Sequence, residues 1–197
     1  MKSLSFVLLF LASALIAGCS QDNSGSTSSA TNQSAEEIRS EMVAELGIDL
    51  VPLSFLDWDL QMSDIAGQIV VMDFWAMWCI PCLERFPHMV ELSAHYPEEQ
   101  VRFVSVNIDD HTDEDAYISA IDFLTAVGAD FENYQMKEEM FDTFDFFGLE
   151  SIPAVIIYDT SGAQHVRLSG YRPEDQFTEE DIVANIEELL ANPLQEI

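Results

Sequence analysis

The sequence predicts an α/β domain folded as a three-layer sandwich, a mixed central sheet flanked by helices. Three observations predict it. Ile69-Val70-Val71-Met72-Asp73-Phe74 is a nearly unbroken apolar run, the pattern of a central strand covered on both faces. Val101–Asn107 is a second strand, separated from the first by a helical stretch, so the two pair in parallel through a crossover. Ala154–Tyr158 runs into the turn Asp159-Thr160-Ser161-Gly162 and a return strand, Gln164–Ser169, which together read as a hairpin.

The remaining elements follow in chain order. Ser34-x-x-Glu37 is a capping box for a short helix over 36–47, with Ile38, Met42 and Leu46 on one face and Gly47 as its stop. Ile48 to Leu60, rich in Leu, Phe and Trp, is expected to form a leading strand or hairpin. The helix after Cys82 is expected to reach about His95. Between Asp109 and Phe147 an αβ insertion is expected: a helix over Ala116–Val127, an extended segment over Phe131–Met136 and a helix over Glu138–Phe146. Thr178-x-x-Asp181 caps a last helix whose Ile182, Ile186, Leu189 and Leu190 face inward. The domain spans 48–192, with 193–197 as a tail.

Charge narrows the function. With 7 basic and 36 acidic residues the formal charge is −29. Such a chain cannot track a phosphate backbone, which excludes nucleic acid, and it gains nothing from an anionic bilayer. The acidity reads first as a solvated, self-repelling surface, with steering toward a basic partner as the sharper alternative. At the N-terminus, Lys2, the apolar stretch Phe6–Ala17 and Ile16-Ala17-Gly18-Cys19 read as a signal peptide over 1–18, cleaved before Cys19. The quartet resembles the bacterial lipoprotein box, which implies lipid on Cys19. Residues 19–35, almost all small and polar, form a disordered tether with a reach of roughly 20–25 Å.

The chemistry lies in Asp73-Phe74-Trp75-Ala76-Met77-Trp78-Cys79-Ile80-Pro81-Cys82. Two cysteines spaced i, i+3 at a helix start put both sulfurs on one face of the first turn, within reach of a disulfide. The helix dipole and unpaired N–H groups there favour the thiolate, the reactive species. A C-x-x-C alone is ambiguous, because zinc sites use it too. A metal carrier holding Cu(I) between Cys79 and Cys82 is the rival from another class, with Met77 adjacent but no third ligand evident. A scaffold with a dormant dithiol is the third option.

The run Phe74-Trp75-Ala76-x-Trp78-Cys79-x-Pro81-Cys82 resembles the signature of the thioredoxin superfamily, preceded by its buried acid, Asp73, and followed by its helix-kinking proline, Pro87. Phe147-Gly148-Leu149-Glu150-Ser151-Ile152-Pro153 is similar to that family's approach to its cis-proline. The insertion resembles the membrane-tethered TlpA and ResA branch. The resemblance implies a thioredoxin-like sandwich with a cis Ile152–Pro153 bond, Ile152 pairing by its backbone with a substrate chain. Trp78, Ile80, Pro81, Ile152 and Pro153 are then the surface that meets the partner.

On this reading Cys79, exposed at the helix start, is the nucleophile, and Cys82, one turn inside, resolves the mixed disulfide. Asp73, desolvated and with a raised pKa, exchanges the Cys82 proton. The resemblance further implies an extracytoplasmic reductant of disulfides in exported proteins, with cytochrome c maturation as one such task. A membrane electron donor would restore the dithiol. Ser20 after the lipidated cysteine points to the outer membrane in a cell with two membranes. No cofactor or metal is expected, and the domain reads as a monomer; a thiol oxidant is the alternative direction.

Four positions depart from the family pattern. Ile80 replaces a small residue. Ser105 stands where thioredoxin has a lysine near the buried acid, so Asp73 is expected to lack a counter-charge. Arg85 falls where the tethered branch usually has glutamate, and Asp73 itself where that branch often has asparagine. Elsewhere, Asp109-x-His111-x-Asp113-x-Asp115 lacks the glycine and distal glutamate of an EF-hand and reads as a helix-capping acidic run, while His88, His95 and His165 read as surface residues.

Overall fold

A computed structural model describes residues 47–64, 67–170 and 176–192. In chain order these form β1 (Val51–Leu53), α1 (Phe55–Asp64), β2 (Ile69–Trp75), α2 (Ile80–Ser93), β3 (Val101–Asn107), α3 (Glu114–Val127), β4 (Glu132–Met136), α4 (Met140–Phe147), β5 (Ala154–Tyr158), β6 (Gln164–Ser169) and α5 (Glu179–Ala191). The signal peptide, Cys19, the tether, residues 36–46 and the tail at 193–197 lie outside the described residues.

The strands make one six-stranded sheet in the order β1-β4-β3-β2-β5-β6. β1, β4, β3 and β2 run parallel, and β5 and β6 add antiparallel pairs. Every residue of β2 is buried, as its apolar run requires. Alternation along the strands divides the core. Ile69 and Val71 of β2, with Val155 and Ile157 of β5, join Met89 and Leu92 of α2 and Ile182 and Ile186 of α5. Val70, Met72 and Phe74, with Val104, Val106 and Ile156, join Ala120, Ile121 and Leu124 of α3 and Phe147 of α4. The sandwich predicted from sequence is therefore present, insertion included.

Local signals set several element ends. Asp113 caps α3 by accepting from the N–H groups of Asp115 and Ala116. Thr178 and Asp181 form the expected reciprocal capping box of α5. In the hairpin, Asp159 Oδ1 accepts from Ser161 and Ala163, and Gly162 takes φ +81°.

One expectation holds only in part. Within Ile48–Leu60 the leading strand is present but short, β1 alone pairing with β4, and no hairpin forms because the chain turns into α1. The backbone N–H groups of Asp57 and Trp58 bond to Ser54 O, and the Phe55 N–H is capped across the fold by Glu138 Oε1 at 3.1 Å. Phe55 stacks on Phe146 of α4 at 4.2 Å between centroids, and Trp58 meets Phe147 edge-on at 4.9 Å. Packing against α4 overrides the strand preference of these aromatics.

Candidate active site

β2 leaves the centre of the sheet and turns sharply into α2. Cys79 is the residue at the α2 N-cap, with its N–H bonded to Ala76 O at 3.0 Å and no cap hydrogen bond from its side chain. Its sulfur therefore sits at the positive end of the helix dipole. Cys79 O accepts from Cys82 and Leu83, closing the first turn. Pro81 sits in that turn, where its missing N–H costs nothing. Cys79 and Cys82 are joined in a disulfide with Cα atoms 5.3 Å apart.

The expectation of an exposed Cys79 needs correcting: Cys79 is 5% exposed and Cys82 1%. Bridged, the Cys79 sulfur is packed into the core cluster that holds Trp75, Ala76 and Cys82. The order of the two cysteines is as expected, and the exposed surface around them belongs to Trp78 (55%) and Ile80 (62%). The Ile152–Pro153 peptide is cis. Pro153 precedes Ala154, which pairs with Phe74, so it lies at the end of β2 from which the cysteine turn springs. Ile152 and Pro153 are half-buried. Trp75 is fully buried and packs edge-on against Phe86 at 5.1 Å.

Asp73 is buried in β2 between its register neighbours Ser105 and Val155. A second correction applies here, because Asp73 does have a counter-charge. Arg85, one turn beyond Cys82 on α2, donates from Nη2 to Asp73 Oδ1. Ser105 is turned away, donating to Asn133 Oδ1 at 2.7 Å. The missing strand lysine is thus replaced by a cation from the helix. Burial pushes the Asp73 carboxyl above its ordinary value, and the Arg85 charge and hydrogen bond pull it partly back. The Arg85 guanidinium also lies over the Phe177 ring, 4.7 Å from its centroid.

The sequence pattern offers Asp109 only as part of a capping run, yet it is buried and tied to the cysteine turn. Its Oδ2 accepts from the Met77 N–H at 2.8 Å and from Asn107 Nδ2 at 2.7 Å. Asn107 Oδ1 in turn accepts from the Asp109 N–H at 3.1 Å. Burial raises the Asp109 pKa, and the bonds from Met77 and Asn107 oppose the rise. The signal that could have found it is positional: polar residues at the carboxyl end of a central parallel strand, where α/β folds build their sites.

Among the described residues, no group of three or more His, Cys, Asp or Glu side chains comes together to hold a metal ion, and no helix is long and apolar enough to cross a membrane. A cavity of about 720 Å³ opens at the far end of the sheet, lined by Tyr96, Arg102, Phe131 and Asn133 among others, and includes no residue of the cysteine turn.

Comparison with known proteins agrees with this geometry. The model of the AhpC/TSA family matches residues 56–166. Over 104 residues the chain is 25% identical to the thiol-disulfide oxidoreductase ResA of Bacillus subtilis (strain 168), a stretch that is 52% of this chain and 54% of that protein. The chain thus spans about half the length of that relative. A thioredoxin-like superfamily protein superposes with a TM-score of 0.56 at 20% identity, covering 66% of this chain and 85% of that one, which shows the fold. A Chlorobium tepidum structure described as a thiol:disulfide interchange protein DsbE is 32% identical, with a TM-score of 0.50, and covers 64% of this chain and 84% of the other. The sandwich is thioredoxin-like, and the resemblance to ResA read from the motifs is found.

Proposed function

Since this chain belongs to the AhpC/TSA family, we propose that it is a thiol–disulfide oxidoreductase that exchanges electrons through Cys79 and Cys82. The observation that carries this reading is the Cys79–Cys82 bridge at the first turn of α2, just beyond the central strand that holds the buried Asp73. The relatives named thiol-disulfide oxidoreductase and disulfide interchange protein support it.

In the reducing direction the Cys79 thiolate attacks one sulfur of a partner disulfide, forming a mixed disulfide and releasing the other sulfur as a thiolate. Cys82 gives its proton to Asp73 and attacks Cys79 Sγ. The Cys79–Cys82 bond forms, and the second partner sulfur leaves and takes the proton. Two electrons pass to the partner, and a membrane electron donor must return two to the bridge. Trp78, Ile80, Pro81, Ile152 and Pro153 form the surface against which the partner chain lies. The N-terminal motif supports a working place outside the cytoplasm, anchored by lipid on Cys19 in the outer membrane. Exported proteins are then the substrates, with cytochrome c precursors among them.

The test is trapping. C82S should accumulate a mixed disulfide through Cys79 with a disulfide-bonded peptide, while C79S should neither trap nor turn over. In glutathione buffers the wild-type pair should equilibrate nearer the thioredoxin value of about −270 mV than the strongly oxidising value of about −120 mV. Absence of a trapped adduct would sink the exchange mechanism, and an oxidising potential would reverse its direction.

A further inference from the structure

Arg85 and Asp73 are joined by one contact rather than by the two-pronged fork a guanidinium can offer a carboxylate. Asp73 Oδ2 is buried with no protein partner, as are Arg85 Nε and Nη1. Leaving buried donors and acceptors unmade is costly, and a buried ion pair is in general a poor source of stability. The pair is therefore not arranged to maximise cohesion. Cys82 and Arg85 are three residues apart on α2, so they share a helix face, and Arg85 reaches Asp73 from the face that carries Cys82.

Resting on the exchange reading above, we propose that Arg85 is a positioning residue for the resolving step. Its guanidinium holds Asp73 as a carboxylate and leaves Oδ2 open to take and return the Cys82 proton. The proton moves from Cys82 Sγ to Asp73 Oδ2, the freed thiolate displaces the partner sulfur from Cys79, and that sulfur receives the proton. Without the cation, burial would raise the proton affinity of Asp73 further, leaving it less able to take the Cys82 proton. Among the described residues the other neighbours of Asp73 carry no charge: Ser105 on β3 and Val155 on β5 are neutral, and Ile182 and Ile186 of α5 are apolar. The ring of Phe177, just before α5, packs against the guanidinium, its centroid 4.7 Å from Cζ.

The test is titration of the Asp73 carboxyl by carbon-detected NMR on the reduced full chain, with D73N assigning the resonance. R85Q should raise the proton affinity of Asp73 at least tenfold, the lower end of what an adjacent opposite charge supplies; a smaller rise overturns the proposal. R85K keeps the cation and is the variant to read where R85Q does not fold. It should stay within about threefold of wild type, and a tenfold rise there overturns the proposal equally. The rate of resolution by Cys82 in R85Q should fall at least tenfold at neutral pH and recover as pH rises, a recovery that a merely structural defect would not give. The titration uses no substrate. A wild-type chain that fails to reduce disulfides therefore sinks the exchange reading and leaves the Arg85–Asp73 coupling measurable, whereas an active chain without the coupling sinks this inference alone.

Discussion

Asp109 does for the cysteine turn what a capping side chain does for a helix. It supplies a buried acceptor to the Met77 N–H, which lies two residues before Cys79, and it is itself held by Asn107. Removing the carboxylate in D109A leaves that part-buried N–H without its acceptor, at an expected cost of about 1–3 kcal/mol. D109N keeps one acceptor oxygen and should cost less. Denaturant unfolding of the two variants checks this; equal stability of D109A and wild type would mean that the turn is held by something else. Cys79 of D109A should also alkylate at a changed rate, because its sulfur depends on that turn for its place at the end of α2.

The connection from α4 to β5 shows how elements position the site. α4 ends at Gly148, which adopts φ +64°, and Arg167 of β6 donates from Nη1 to Phe147 O at 3.0 Å just before it. A Cβ at 148 would collide with that guanidinium, whereas one at Gly162, at φ +81° in the hairpin turn, would meet nothing within 4 Å. Both G148A and G162A bear the backbone penalty of a left-handed residue, about 1–2 kcal/mol. G148A should lose more, since it also displaces Arg167 from the segment that leads to Pro153. Comparing the two unfolding midpoints isolates the Arg167 contribution, and indistinguishable values would refute it. α1 carries the same lesson from the other side, because its Phe55 and Trp58 are held by Phe146 and Phe147 of α4.

At the level of the whole chain, a formal charge of −29 makes the compact state repel itself. Two buried acids add to the effect of pH. Asp73 and Asp109 both have folded pKa values above the ordinary 3.8. For an acid of this kind the native state binds the proton more tightly than the unfolded chain, so stability falls as pH rises from 3.8 through the raised folded values. The exposed Asp110 and the half-buried Asp159 are shifted down and act in the opposite sense, losing stability only as pH drops below 3.8. The denaturation midpoint should therefore be higher at about pH 5 than at about pH 8. Molar salt, which shortens the Debye length to about 3 Å, should narrow the gap by screening the repulsion. A midpoint that rises with pH would refute this balance.

What the sequence determined by itself is what short-range physics writes along the chain. The apolar run of β2, the Asp113 and Thr178 caps, the Asp159–Gly162 turn and the i, i+3 cysteines each follow from neighbours within a turn or a pleat, and each is present in the structure. Tertiary structure alone decided which distant side chains meet. Arg85 reaches Asp73 across 12 positions and Asp109 reaches the Met77 N–H across 32. α1 forms where aromatic residues suggested a strand because α4 packs on it. These outcomes depend on strand order and on how a buried charge or N–H is satisfied, and no local pattern specifies them, because the partner is supplied by another element.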